Sequence, residues 1–168
     1  MDLAAALLES WDRQCKIVNT VVTLIDEGNR HVKPSEDGMP LDRQIAHMHM
    51  TRRYFLSQIA PEHGGSLTTS YADQEGTPLA DLDALKANLK ASGEAVGNAV
   101  KDALEKGGGP MKSEHVTYDN PVLLLQHMVW HEGWHVGLIF LGLRLNGQEP
   151  PEEWEEPNVW GQWRTETW

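Results

Sequence analysis

Three histidines recur every four residues in the last third of the chain, at positions 127, 131 and 135. On an α-helix, residues four apart lie on the same face, one turn from each other. Two imidazoles at this spacing can bind one transition-metal ion, and a third ligand from elsewhere in the chain would complete a site. A nearly straight helix cannot easily direct three successive turns at one ion, so two roles stay open for His127: a ligand that extends the row, or a residue that lines a pocket or supports a ligand. The spacing therefore favours His131 and His135 as a pair of metal ligands.

Four segments have the periodicity of amphipathic helices, at about residues 2–27, 40–60, 78–106 and 120–146. These helices must position the histidines. Glycine or proline marks most of their ends, as is usual at helix boundaries. No stretch alternates as a strand would, although residues 111–118 could hold a short extended piece. We predict an all-α fold: a four-helix bundle with long connections, formed as a single domain over residues 1–168.

The fourth segment is the most apolar of the four, so we expect it to be the most buried. Residues 147–168 form an acidic tail that contains four tryptophans: Trp154, Trp160, Trp163 and Trp168. Four indoles are too apolar to remain fully solvated, and we predict that this Trp-rich tail packs on the bundle or on a partner chain.

Charge and composition exclude several classes of protein. The net charge of −11 and the absence of a basic patch argue against nucleic-acid binding, which needs clustered Lys and Arg. The longest apolar run near the C-terminus, residues 136–143, is too short to span a bilayer. The first residues lack the features of a secretory signal. The lone Cys15 precludes an intramolecular disulfide and fits a reducing cytoplasm, and we expect it to be a buried helix residue rather than a reactive thiol.

The remaining histidines divide into two groups. Three of them, His31, His63 and His115, lie in predicted loops and are expected to be solvated. His47 and His49 lie on the second predicted helix, about 200° apart around its axis. At most one of these two can therefore face the same interior point as the histidines of the fourth helix, and the spacing alone leaves open which one.

A second motif overlaps the same residues. The run from His131 to His135 matches H-E-x-x-H, the zinc-hydrolase helix in which Glu activates a water molecule. The extended form of this motif would need Gly where this chain has Leu138. Glu132 lies about 100° from His131 around the helix and is expected to point away from the ion. Downstream carboxylates (Glu152, Glu153, Glu155 and Glu156) follow two prolines instead of lying in a clear ligand-bearing helix. The hydrolase is the less favoured alternative.

Several stretches of this sequence resemble the DinB-like superfamily, which includes the DinB and YfiT-type metal-binding bundles. In the second helix these are residues 44–48 and the Arg-Tyr-Phe-Leu run at 53–56. In the fourth they are residues 131–137 and the Leu-Arg-Leu-Asn-Gly ending at 143–147. The tail adds Pro150-Pro151 and the Val-Trp-Gly-Gln-Trp run, so the resemblance extends from about Leu3 to Trp163.

The resemblance implies a bundle that holds one divalent metal, zinc or nickel, with His47, His131 and His135. The distance from the histidine to the aromatic pair favours His47 over His49. Many members of the family form dimers, so a homodimer is expected. This sequence departs from the pattern at Gly133 and Gly137, which are expected to loosen that turn of the helix.

Three neutral imidazoles leave a coordination position open, as in catalytic zinc sites. Characterised relatives include transferases and isomerases that use low-molecular-weight thiols. The resemblance therefore implies a metal-dependent thiol S-transferase in which the ion activates a thiol or water, with a small thiol or electrophile as its partner. The alternative is a non-catalytic metal-binding stress-response protein. A substrate-binding cluster would favour the enzyme, and Arg52, Arg53 and Arg144 are its candidates.

Overall fold

The computed structural model describes residues 1–166, and this part of the chain is mostly helical. Its elements follow in the order α1 (Leu3–Val21), α2 (Leu41–Ile59), α3 (Pro61–Gly64), α4 (Leu82–Glu105), β1 (Met111–Lys112), β2 (Thr117–Tyr118), α5 (Pro121–Leu145) and α6 (Glu152–Asn158). Short 3₁₀ turns follow α1 at Val22–Leu24 and α6 at Trp160–Gln162. The predicted all-α class is confirmed. Trp168 lies outside the described residues.

Side-chain caps fix where three of the long helices begin. The Asp2 carboxylate accepts hydrogen bonds from the first turn of α1. The Asp81 carboxylate accepts from the Ala84 amide at the start of α4, and the Asn120 side chain accepts from the Leu123 amide at the start of α5. Each cap satisfies an amide that has no partner within its own helix. The cap at Asn120 sets the register of the helix that carries His131 and His135.

Two predicted helix boundaries differ from the structure: the end of the first helix and the start of the third. The first helix was expected to continue to residue 27, but α1 ends at Val21, a 3₁₀ turn follows at Val22–Leu24, and side chains capture backbone amides beyond that turn. Asp26 Oδ1 accepts from Gly28 at 2.8 Å and Asn29 Oδ1 accepts from Asp26 at 2.9 Å, which forms a local turn. The third was expected from residue 78, but the Leu79 amide donates to a backbone carbonyl at Ser70, so α4 begins only at Leu82.

A two-stranded antiparallel hairpin connects α4 to α5. Met111 pairs with Tyr118 and Lys112 pairs with Thr117. The hairpin lies within residues 111–118, where the sequence allowed a short extended piece. The second strand of the hairpin places Tyr118 beside α5.

The core consists of two apolar clusters, one nearer each end of the long helices. The first cluster includes Val18, Val21, Ile45, Leu85, Leu89, Ile139 and Leu143. The second includes Trp11, Leu56, Val96, Val100, Leu124 and Met128. The N-terminal halves of α2 and α4 contribute to the first cluster, whereas the N-terminal halves of α1 and α5 contribute to the second. The four helices therefore lie side by side, with α2 and α4 opposite in direction to α1 and α5.

A buried polar layer separates the two apolar clusters. Each long helix contributes one side chain to it: Gln14, Arg52, Ser92 and Glu132. Arg52 Nε donates to Glu132 Oε1 at 2.7 Å, and Gln14 Nε2 lies 3.4 Å from the other carboxylate oxygen. A further nitrogen of Arg52 donates to a backbone carbonyl of α4 at 2.7 Å. One charge pair thus connects all four helices at the same level.

The expectation that the fourth helix is the most buried element is wrong. α5 has apolar residues around its whole circumference, but only one side faces the other helices. Trp130 and Trp134 are 74% and 62% exposed, and the exposed stripe continues through Leu141 and Leu145. Within residues 1–166, no helix combines the length and the apolar character needed to cross a membrane.

The tail packs against the helices through part of its aromatic surface. Val159 is buried, and Trp154 packs against the first apolar cluster. Arg13 of α1 donates to the backbone carbonyl of Gln162 at 2.5 Å. Trp160 and Trp163 stay about half exposed, at 53% and 45%. The predicted contact between the tail and the helices is present for the described residues.

Candidate metal centre

α2 and α5 bring three histidine side chains together. His131 Nε2 lies 3.2 Å from Nε2 of His47 and 3.2 Å from Nε2 of His135. One nitrogen from each ring can be chosen so that all three lie within 4.8 Å of one another. Of the two histidines on α2, the structure places His47 here. The three residues could form a metal site.

Two of the three nitrogen–nitrogen separations in this cluster suit a single ion. Zinc binds imidazole nitrogen at about 2.0–2.1 Å, which places two ligand nitrogens of a tetrahedral site roughly 3.3 Å apart. The observed separations of 3.2 Å are close to that value. The donor set alone also suits nickel, copper and iron, because imidazole is a ligand for all of them.

Hydrogen bonding fixes which nitrogen of His135 is available. The His135 Nδ1–H donates to the side-chain oxygen of Gln44, one turn before His47 on α2. A neutral imidazole carries only one N–H, so Nε2 of His135 presents a lone pair to the cluster. A single hydrogen on His131 Nε2 could not form good hydrogen bonds to both neighbouring nitrogens at once. A shared cation would satisfy the three nitrogens together, so the residues present fit the metal.

Burial keeps these imidazoles neutral. It lowers the pKa of His135 to about 3 and that of His131 to about 4, with smaller contributions from the neighbouring histidines. Burial also lowers the pKa of His47, and the Arg43 charge adds to that effect. Neutral imidazole is the form that binds metal, so these side chains are ready for an ion at neutral pH.

His127 lies one turn before the cluster and belongs to a separate pair. Its Nδ1 and the Tyr118 hydroxyl share a hydrogen bond of 2.7 Å. The ring packs edge-on against Phe55, with centroids 5.0 Å apart, and its centroid is 6.4 Å from that of His131. Burial raises the pKa of Tyr118 to about 12, which keeps the phenol protonated. His127 therefore lies at the edge of the imidazole cluster and does not enter it.

His49 is structural. It is fully buried on the opposite side of α2 from His47. Its two ring nitrogens lie 2.8 Å from the backbone carbonyls of Asn88 and Thr68. The ring fastens α2 to α4 and to the loop that precedes it. The sequence alone could not predict that His49 connects these elements, because neither carbonyl is near His49 in the chain.

Of the three histidines expected to be solvated, His63 is not, since its side chain is only 18% exposed. His63 lies in α3, and its Nε2 is 3.0 Å from Asp102 Oδ2 on α4. The side chains of His31 and His115 are 79% and 70% exposed, as predicted.

Glu132 points away from the imidazoles, as its position on the helix predicted. It is fully buried, and its carboxylate is engaged by Arg52 at 2.7 Å. A carboxylate held in this way is poorly placed to act as the base of an H-E-x-x-H hydrolase. The expected loosening at Gly133 and Gly137 is absent, since α5 is continuous through both residues.

The arginines proposed as a substrate-binding cluster have other roles. Arg52 lies in the buried layer and pairs with Glu132. Arg53 donates to the backbone carbonyl of Leu67 at 2.9 Å. Arg144 forms an ion pair with Glu149. The three do not form one cluster, so they do not supply the substrate-binding feature that would favour an enzyme.

The fold and the candidate site define a class: an all-α protein with an HxxxH pair on one helix and a third histidine on another. The sequence matches the DinB family over residues 1–163, and the chain belongs to this family. A comparison with curated proteins and with solved structures found no significant match.

Proposed function

We propose that this protein binds one divalent transition metal, zinc or nickel, through His47, His131 and His135, and that it is a metal-dependent thiol S-transferase. The observation that carries this proposal is the convergence of three Nε2 atoms, with His131 3.2 Å from each neighbour. Membership of the DinB family supports the metal.

The site has the character of a catalytic centre. Among residues 1–166, no fourth His, Cys, Asp or Glu joins the three histidines. Structural zinc sites have four protein ligands, whereas catalytic sites have three and an open position. His47 and His131 are only partly buried, so small molecules can reach the imidazoles. An ion held here would supply a Lewis acid that lowers the pKa of a thiol or of water.

A neighbouring hollow supports an apolar substrate. It has a volume of about 330 Å³ and lies against Gln44 and His135. Trp134 and Leu138 form one wall, and the loop at residues 34–39 forms the other. An electrophile with an aromatic or aliphatic body would bury its apolar surface there.

The proposed reaction is the displacement of a leaving group by a thiol. The sulfur forms a bond to an electrophilic carbon, the leaving group departs with the electron pair of its bond, and the thiol proton is released. The protein's own contribution is to hold three imidazoles neutral, to orient one of them through Gln44, and to enclose the electrophile in the apolar hollow.

A turnover assay tests this function. Metal-reconstituted protein is incubated with low-molecular-weight thiols and a halonitroarene, and thioether formation is followed by absorbance. We expect turnover that is lost in His131→Ala and kept in His115→Ala, which removes a largely exposed histidine. No turnover above the uncatalysed rate with any thiol or with an epoxide would contradict the transferase.

The second candidate function is a non-catalytic metal-binding protein of a stress response. In that case the ion would serve to fasten α2 to α5, which supply all three ligands. The outcome that favours it is bound metal together with a large rise in melting temperature and no turnover. The H-E-x-x-H hydrolase is disfavoured because Arg52 engages Glu132.

We also infer that the four long helices form one four-helix-bundle domain over residues 1–168. The opposite directions of the two helix pairs and the shared polar layer support a bundle. The single Cys15 supports a reducing, cytoplasmic location.

A homodimer is proposed from the exposed stripe of α5. Leu123, Trp130, Trp134, Leu141 and Leu145 recur at spacings of seven and four, which places them on one face. Each is at least 41% exposed. A continuous apolar stripe of this kind marks an interaction surface. Light scattering after size exclusion should give twice the chain mass, and Trp130→Glu should give the monomer.

A further inference from the structure

A second cavity lies on the other side of α5 from the imidazole cluster. It has a volume of about 400 Å³ and lies between α1, α5 and the segment that contains α6. Gly133 and Gly137 form part of its floor, and the half-exposed Trp160 and Trp163 line it. Two residues of helix rotate by about 200°, so Gly133 faces about 160° away from His131. The cavity is therefore separate from the proposed metal centre.

The two glycines on its floor have no packing reason to be glycine. A Cβ atom added at Gly133 or Gly137 would meet nothing within 4 Å. Elsewhere in the long helices the small residue is needed: a Cβ at Gly93 would lie 2.9 Å from Cys15 Sγ, and one at Gly142 would lie 3.0 Å from a Leu41 methyl. Glycine is among the least favourable residues inside a helix. At positions 133 and 137 its effect is to keep the cavity open.

The lining of the cavity is mainly apolar and aromatic, with Val136, Phe140 and Val159 beside the two indoles. The few charged groups of the lining carry no excess of positive charge. Arg144 is neutralised by Glu149, while Glu155 adds a carboxylate. Anionic ligands would meet this carboxylate, so the surroundings favour an uncharged ligand.

We propose that this cavity is a binding site for an uncharged, planar apolar molecule that lies over the backbone at Gly133 and Gly137 and packs against Phe140, Trp160 and Trp163. Its volume lies within the range of small-molecule sites. Aromatic side chains provide large contact areas at little conformational cost. The site goes beyond the proposed transferase function and does not depend on bound metal.

The test uses N-phenyl-1-naphthylamine, an uncharged aromatic probe that fluoresces in apolar surroundings. Full-length protein should bind it saturably at one site per chain. Gly137→Leu and Gly133→Leu should each weaken binding at least about tenfold, because the new side chain fills the cavity. Gly133→Ala and Gly137→Ala should raise the melting temperature by about 2–4 °C, which shows that substitution leaves the fold intact.

Matched controls distinguish probe binding in the cavity from probe binding to other apolar surface. Tyr54→Ser removes an exposed aromatic side chain of α2, outside the cavity, and should leave the affinity unchanged. The sulfonated counterpart of the probe, 8-anilinonaphthalene-1-sulfonate, should bind at least about tenfold more weakly. Undiminished probe binding in both leucine variants, no saturable binding by the wild type, or tighter binding of the sulfonate would each overturn the proposal. Metal content measured in the same variants should stay at the wild-type value.

Discussion

Gln44 and His135 form the hydrogen bond on which the orientation of the imidazole cluster depends most directly. The amide oxygen of Gln44 accepts from His135 Nδ1–H and so leaves Nε2 free for a metal ion. We predict that Gln44→Ala lowers zinc affinity about 10–100-fold, whereas Gln44→Glu, which keeps an acceptor, retains most of it. Competition with a chelating dye measures both.

Gln58→Ala is the control for that experiment, since Gln58 lies on the same helix and is partly exposed. An unchanged affinity in Gln44→Ala would show that the hydrogen bond does not support the site.

Cys15 should be an unreactive thiol. Burial raises its pKa from 9.0 to about 12, so the thiolate fraction at pH 8 is about a thousandfold lower than for an ordinary cysteine. Alkylation by iodoacetamide at pH 8 should be slow by a comparable factor and should become fast in denaturant. Rapid alkylation of the native protein would contradict this assignment.

The same shift has a consequence for stability. The unfolded thiol ionises near its ordinary pKa and the folded thiol only near 12, so its contribution to stability is complete below pH 9. That contribution is lost as the pH rises from 9 towards 12. The fall in melting temperature over this range should be smaller in Cys15→Ala.

The histidine cluster could be predicted from the sequence only in part. The four-residue spacing of His131 and His135 marks a shared helix face, and this needs no knowledge of the fold. The choice of His47 over His49 came from the family pattern, because helical geometry allowed either one. The structure supplies the physical reason: His49 is bound between two backbone carbonyls. Gln44 and the pairing of His127 with Tyr118 depend on contacts between elements that the sequence does not reveal.

Among the elements, α2 and α5 are held together by the Arg52–Glu132 ion pair as well as by the apolar clusters. Both side chains are at most 1% exposed. Removing one partner would leave a buried charge without compensation. We predict that Glu132→Leu lowers the free energy of unfolding by about 3–5 kcal/mol, and that the double variant Arg52→Leu/Glu132→Leu is less destabilised. Chemical denaturation gives both values.

An exposed ion pair provides the comparison. Lys101 and Glu105 on α4 are 4.0 Å apart and more than half exposed, so Glu105→Ala should cost about 0.5 kcal/mol or less. Equal costs for Glu132→Leu and Glu105→Ala would contradict the role of the buried layer. Folded Glu132→Gln should retain its metal, because Glu132 does not face the imidazoles.

Helix positions were easier to predict than helix ends. α2 and α5 lie within about one residue of their predicted bounds because a proline or a capping asparagine fixes each start. α1 and α4 are shorter than predicted because Asp26, Asn29 and the bridge between Tyr71 and Pro78 use backbone groups that the helices would otherwise need. Such competing hydrogen bonds depend on the folded loop.

At the scale of the whole molecule, α5 presents a different kind of surface on each of its sides. One side is buried in the core, and the next carries His131 and His135. A third carries the exposed apolar stripe, and the fourth, with Gly133 and Gly137, faces the second cavity. This arrangement explains why the most apolar segment of the sequence is not the most buried element of the fold. Hydrophobicity alone cannot distinguish a core face from a binding face.

The central claim is that one cation joins α2 to α5 through three neutral imidazoles. Its most direct test is the metal content of the protein after reconstitution with zinc and removal of the excess, measured by mass spectrometry together with the melting temperature. We predict about one ion per chain in the wild type and in His49→Gln, and a melting temperature that falls on chelation. His47→Ala, His131→Ala and His135→Ala should each lose the ion while remaining folded. A wild-type protein that retains no metal, or an ion that persists in His131→Ala, would contradict the claim.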